Sequence, residues 1–347
     1  MRTRKVESDC SICGQEGDGY HFGAETCKAC AAFFRRSVIQ KKEFQCNGNK
    51  DCDLVANVRC MCRACRFSKC LEMGMNSAGV QQAPPPSPPS MAFLTKMKEN
   101  YQKLENAREV IHKKEKLFEN TVPRAVNYLE AIRQGMSDVA LGADWISRCF
   151  EEFATLPMEQ KNIVFGHFYV PFYTMEGAFR SHQKNSPNKV IMPSGDFMDF
   201  DHLELFYKNE GEEQEMTKEQ IDKLFKPTFL YAQQSLILPM MTENLDLIEF
   251  LSLCTLLLWD TSLEGITDET VRIGKKIKDQ VMEELSFHLT SIKRLPNPVV
   301  RTATIIGMLP AVYRLTRRIQ DDLEITKVFK IYTASKEFYD LINGNFC

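Results

Sequence analysis

The chain has 347 residues, 44% of them hydrophobic, and a formal net charge of −2. That is enough for two domains, or three at most, each with an ordinary packed core. No apolar run reaches the roughly 18 residues of a membrane span, which excludes a transmembrane helix. The charge is uneven: residues 1–80 carry +4 and the remainder carries −6.

The first element in chain order is a set of cysteines. Ten of the 13 lie before residue 71. Eight of them form two quartets, Cys10, Cys13, Cys27, Cys30 and Cys46, Cys52, Cys62, Cys65. A Cys-x2-Cys knuckle turns two thiolates toward one metal, and two such arms close a tetrahedron around zinc. A closed four-sulfur site leaves no position for water, so two structural zinc ions are expected. The competing reading, disulfides, needs an oxidising compartment, and no apolar signal-peptide core follows Met1-Arg2-Thr3-Arg4-Lys5. Cys60 lies close to Cys62 but is expected to stay a free thiol, because Cys62-Arg63-Ala64-Cys65 makes the better knuckle.

The spacing predicts a helix from Cys27 onward, opened by the metal. Phe33 and Phe34 form its apolar face, while Lys28, Ala31 and Arg35 share another, with Arg36 at its edge. A helix with buried aromatics behind and a basic front fits a DNA major groove. A basic end on an acidic remainder agrees with one nucleic-acid-binding end.

The run Tyr20-His21-Phe22-Gly23, the segment from Cys27 to Arg36, and the segment from Cys62 to Met75 resemble the DNA-binding domain of nuclear hormone receptors, in the divergent form expanded in nematodes. The resemblance implies base reading by Lys28, Ala31, Arg35 and Arg36, and backbone contact by Tyr20 and His21. Arg59, Arg63, Arg66 and Lys69 are expected on phosphates, where they set register and salt dependence. Lys28 stands where the family usually has Glu, and Ala31 where it has Lys. Lys donates to guanine, Glu accepts from cytosine, and Ala can offer only an apolar contact to a thymine methyl. The half-site is therefore expected to differ from the family's usual one. Ser37 follows two arginines, and a phosphate there would set like charge against DNA.

Residues 76–92 are expected to form a hinge, because the proline-rich run within them can make neither helix nor central strand. Helical patterning starts at Phe93, with Leu94, Met97, Tyr101, Leu104, Ile111 and Phe118 on one seam that Arg108 and Glu115 interrupt. Further helices are expected over 141–153 and 163–181, a turn between short strands over 190–200, a solvated acidic loop over 208–215, and long helices over 245–258, 268–291 and 299–329. Residues 247–258 are apolar nearly all round, which predicts a central buried helix.

These helices resemble, more loosely, the ligand-binding domain of the same family. Phe153, Leu156-Pro157-Met158 and Val164-Phe165 match its signature, with Gln160-Lys161 where the family has Asp-Gln. The expected fold is thus a small α-rich double zinc module with two four-cysteine sites over residues 7–75, a hinge over 76–92, and an all-α helical sandwich with a short β-hairpin over 93–347. The resemblance places Arg180 where some relatives bind a ligand carboxylate, which a planar guanidinium suits, and so implies a lipid-like acid. Met175, Phe172 and Cys149 are candidate pocket residues, although core packing is the simpler reading for each. It also places Arg148 and Glu337 or Asp340 at the two ends of a coactivator helix.

No Gly-rich phosphate loop, nucleophile elbow or H-E-x-x-H helix is present, so an enzyme is not expected. The implied function is a nuclear, sequence-specific transcription factor, ligand-regulated or orphan. It would bind a short half-site in duplex DNA, form a homo- or heterodimer through the helical domain, and recruit coregulator proteins. Two other readings remain open: a constitutive DNA-bound scaffold without ligand, and a zinc module for protein or RNA binding.

Overall fold

A computed structural model describes residues 9–54, 61–77, 80, 91–115, 122–208, 216–329, 331 and 334–344. The chain divides into two compact units, Met1–Pro88 and Pro89–Cys347.

The first unit opens on an antiparallel hairpin, β1 (Gly19–His21) and β2 (Ala24–Thr26), in the register Tyr20 to Glu25. Helices α1 (Lys28–Ile39) and α2 (Arg63–Glu72) follow, and they pack on each other. Cys27 caps α1, its Sγ accepting from the Cys30 N–H at 3.4 Å. Phe34 is fully buried between Phe22 and Phe67, with ring centroids 5.8 and 5.7 Å away. Burial of such a ring contributes about 1.5–3 kcal/mol. The turn of the hairpin needs Gly23. Its φ is +109°, and a Cβ there would lie 2.5 Å from the Gly74 carbonyl oxygen. The Asn76 N–H donates to the Phe22 carbonyl at 2.7 Å and closes the end of the module onto the hairpin.

The second unit is helical, with one hairpin. Its first helix, α3 (Ala92–Glu115), carries Leu94, Met97, Tyr101 and Leu104 into the core. Arg108 does not break this seam. It is buried, and it meets Asp138 and Glu176. Helix α4 (Tyr128–Cys149) starts at a reciprocal cap: Asn127 Oδ1 accepts from the Glu130 N–H at 2.9 Å and Glu130 Oε2 from the Asn127 N–H at 3.1 Å. A short α5 (Glu151–Thr155) leads through Leu156-Pro157 into α6 (Met158–Gln183). Strands β3 (Lys189–Ile191) and β4 (Phe197–Asp199) form the expected hairpin, and Gly195 in the turn between them has a φ of +87°.

Helices α7 (Leu203–Phe206), α8 (Lys218–Leu224), α9 (Lys226–Ala232) and α10 (Leu238–Thr242) lie beyond the hairpin, with a π turn joining α9 to α10. Helix α11 (Leu247–Leu258) is the central buried helix that its all-round apolarity predicts, and it packs on α3, α6, α12 (Asp268–Phe287) and α13 (Pro298–Ile306). Its one deep carboxylate, Glu249, is fully buried and held bidentately by Arg301, at 2.7 and 2.9 Å. The single helix expected over 299–329 is two, α13 and α14 (Leu309–Val328), because Pro310 begins a new helix and cannot continue an old one. The chain closes with α15 (Lys336–Ile342), which contacts α6.

The Gln160 that departs from the family signature is itself a fastener. Its Nε2 donates to the Gly265 carbonyl at 3.0 Å, and its Oε1 accepts from Thr267 N and Thr270 Oγ1, both at 2.9 Å. Residues 209–215 of the expected acidic loop, most of the hinge, Arg59, Cys60 and Phe118 lie outside the described residues.

Candidate functional site

Both cysteine quartets close. Within each, the sulfurs lie within 4.8 Å of one another. Cys13 Sγ is 3.8 Å from Cys27 Sγ, and Cys46 Sγ is 3.6 Å from both Cys52 and Cys65 Sγ. A Zn–S bond of about 2.3 Å sets tetrahedral sulfurs about 3.8 Å apart, so the two groups are positioned to bind zinc. The first quartet is fully buried, whereas only Cys65 of the second is. Cys70, a buried thiol of the hydrophobic cluster, belongs to neither.

Helix α1 presents a divided surface. Cys30, Ala31, Phe34 and Ser37 are buried, and Lys28, Ala32, Arg35 and Arg36 are exposed. Ala31 retains only 7% of its exposure. Its placement on the reading face is therefore corrected. The spacing Cys27, Cys30, Ala31, Phe34 is one helical stripe, which turns the Ala31 methyl inward. Ser37 is also buried, and its Oγ donates to the Phe33 carbonyl at 2.9 Å, so it offers no hydroxyl for phosphorylation.

The remaining sequence candidates separate by role. Tyr20 is 74% exposed. His21 Nε2 lies 3.5 Å from Asp18 Oδ2, and Lys28 Nζ lies 3.4 Å from Asp18 Oδ1. Arg63 is exposed and Lys69 half-buried. Arg66 turns inward: its Nη2 donates to Cys30 Sγ at 3.1 Å and its guanidinium stands 4.6 Å from the Phe33 ring centroid. Beside the phosphate contact expected of it, Arg66 thus braces α2 against the first metal site.

In the second unit an apolar cavity of about 210 Å³ lies among α4, α6, the β3–β4 hairpin, α7, α9, α14 and α15. Phe338, Leu341 and Ile342 of α15 form part of its wall. Burial raises the Tyr128 hydroxyl to about 12, and pushes the Tyr173 hydroxyl well above its ordinary value. Arg180 is not among the lining residues. Its Nη2 pairs with Glu105 and lies 3.4 Å from Glu176 Oε1, inside the ion cluster around Arg108. The expected carboxylate-binding role is therefore corrected, because this guanidinium is already engaged by internal carboxylates. In that cluster burial acts to raise Glu176, but Arg108 and Arg180 outweigh it and hold the carboxyl below its usual range. Met175, Phe172 and Cys149 are core residues and do not line the cavity.

Of the proposed clamp, Arg148 is exposed and its Nε donates to Asp144 at 2.6 Å, Glu337 is exposed, and Asp340 is half-buried. The cavity's acid, Asp322, escaped sequence reasoning. Its only signal is one acid on the apolar side of a helix, and its neighbour Asp321 masks that signal.

Residues 8–77 match the double treble clef zinc finger of C4 type, and residues 118–329 match the ligand-binding domain of nuclear hormone receptor. The chain is 47% identical to nuclear hormone receptor family member nhr-86 of Caenorhabditis elegans, over 99% of this chain and 96% of that protein. It is also 47% identical to family member nhr-16 of the same organism, over 99% and 98%. Family member nhr-12, again of C. elegans, is 35% identical over 100% and 92%.

Proposed function

The chain belongs to the nuclear hormone receptor family and is a transcription factor of that type, and from this premise we propose that its sequence preference is carried by Lys28, Arg35 and Arg36 on the front of α1. The observation that carries this reading is the division of α1. Three cationic side chains stand exposed on a helix whose other face is locked by Phe34 and the first cysteine quartet. Such a helix enters a major groove without rearranging its core. Tyr20, His21, Arg63 and Lys69 contact the backbone and set register. Lys28 favours guanine, which moves the half-site away from the family's usual one.

The zinc module spans 7–75, the hinge 76–92, and the helical domain 93–347. The helical domain dimerises through α14 and receives a coregulator helix between Arg148 and the acids of α15, Glu337 and Asp340. The cavity beside α15 receives a compact apolar ligand. The protein works in the nucleus.

Selection of random duplex DNA by the zinc-loaded full chain tests the reading. Enrichment of one short motif, lost on chelation and altered in Lys28→Ala, is the expected result. Absence of enrichment with a folded, metal-loaded chain would overturn it.

A further inference from the structure

The cavity that the preceding reading assigns to a ligand has a one-sided chemistry. Among its lining residues no Lys, Arg or His occurs, and Asp322 of α14 is the one acid. Among the described residues no basic side chain pairs with Asp322. Thr228, also in the lining and itself buried, is the polar side chain that acts on it. The nearby charges are Asp321 and Arg318. Arg318 turns to the ring of Tyr231, with its Cζ 4.8 Å from the centroid. A second polar group stands open: the Tyr173 hydroxyl is buried and has no hydrogen-bond partner among the described residues. Tyr173 lines the cavity, and buried polar groups are ordinarily satisfied, so an occupant with a second polar atom has a group there to meet.

We infer that Asp322 is a specificity-determining residue of this cavity, and that it selects a compact apolar molecule bearing a hydrogen-bond donor, a hydroxyl or an amine, over any carboxylate. The inference rests on the cavity being the ligand site. A carboxylate entering it would lose its hydration, find no cation and face an acid. A hydroxyl would donate to the Asp322 oxygens, and a second polar atom would satisfy Tyr173. Burial raises Asp322 to about 6, which leaves it mainly an acceptor at neutral pH. At about 210 Å³ the cavity is smaller than the roughly 300–1,000 Å³ of drug-sized sites, so the body of the ligand is compact. A long-chain acid fails on both counts.

The test uses the zinc-loaded full chain and three probes sharing one body: 2-naphthalenemethanol, 2-naphthoate and 2-methylnaphthalene, titrated calorimetrically at pH 7.5. The alcohol should bind at least about tenfold more tightly than the carboxylate, and about fivefold or more above the hydrocarbon, as a hydrogen bond to a charged group implies. Asp322→Leu should erase the preference for the alcohol over the hydrocarbon while keeping hydrocarbon binding, which also reports that the variant folds. Naphthoate binding as tightly as the alcohol, or an alcohol preference intact in Asp322→Leu, would overturn the role of Asp322 and leave the cavity a ligand site. Failure of all three probes to bind would overturn both.

Discussion

Asp18 stands between His21 and Lys28, two residues of the proposed DNA-facing surface, and its Oδ1 lies 3.4 Å from the Nζ of Lys28. The pair is solvent-exposed, with 82% of the Lys28 side chain in water, so it is weak and salt-sensitive. It nonetheless sets a competitor beside a cation that phosphate or guanine must recruit. Asp18→Asn should raise DNA affinity severalfold at low salt and steepen the salt dependence by about one counterion. Fluorescence anisotropy across a salt series reads both, and an unchanged slope would show that Lys28 does not reach DNA.

Lys28→Ala should relax selection at one base pair and cost about 1–3 kcal/mol at that site alone. Arg63→Ala should instead weaken all sequences alike. Binding curves on matched and mismatched duplexes separate these patterns, and uniform weakening by Lys28→Ala would move that residue to the backbone set.

The two metals should differ in lability. All four cysteines of the first quartet are buried, and three of the second are not. A chelator should therefore take the second ion first, giving two kinetic phases of zinc release. Cys52→Ser should abolish the fast phase and keep the slow one.

Arg108 sits at the centre of a buried ion cluster in the helical unit. Its guanidinium lies 2.7 Å from Glu176 Oε1, donates from Nε to Asp138 at 2.8 Å, and is almost fully buried. Arg108→Leu would leave the buried Asp138 without its cation and Glu176 with Arg180 alone, at a cost of about 3–5 kcal/mol. Thermal melts should show a large drop that Arg108→Leu with Asp138→Leu partly recovers.

Asp322 should shape the acid limb of stability. Its folded value, raised by burial and by Asp321 to about 6, exceeds the unfolded value near 4. Its contribution is thus fully present below about pH 4 and is lost as pH rises through 6. Asp322→Asn should be the more stable protein at pH 7.5, by about 1 kcal/mol after solvent screening, and should flatten the profile between the two values. Urea midpoints at pH 4.5 and 7.5 measure this, and equal gains at both would discount Asp322.

The zinc sites are readable in the sequence because ligand spacing is a local property, and the central helix 247–258 because its apolarity is continuous. What spacing cannot supply is partners. Arg108 looks like a defect in an apolar seam until Asp138 and Glu176 arrive from other helices. Arg180 looks free for a ligand until Glu105 and Glu176 are seen to hold it. The offset from Lys28 puts Ala31 on the reading face, yet Ala31 also lies four residues from Cys27 and three from Phe34, and the buried stripe prevails. Asp322 acquires meaning only once helices distant in sequence enclose a space around it.

Arg66 donates to a sulfur of the first metal site, and that contact bears on the charge of the whole module. Each closed four-thiolate zinc site carries roughly two negative charges. Two such sites cancel the +4 that residues 1–80 carry when their thiols are counted neutral. The metal-loaded module approaches a polyanion with almost no net charge of its own. Attraction to DNA then depends on dipolar arrangement, with cations in front and sulfurs shielded behind. Arg66 supplies part of that shield by turning its Nη2 to Cys30.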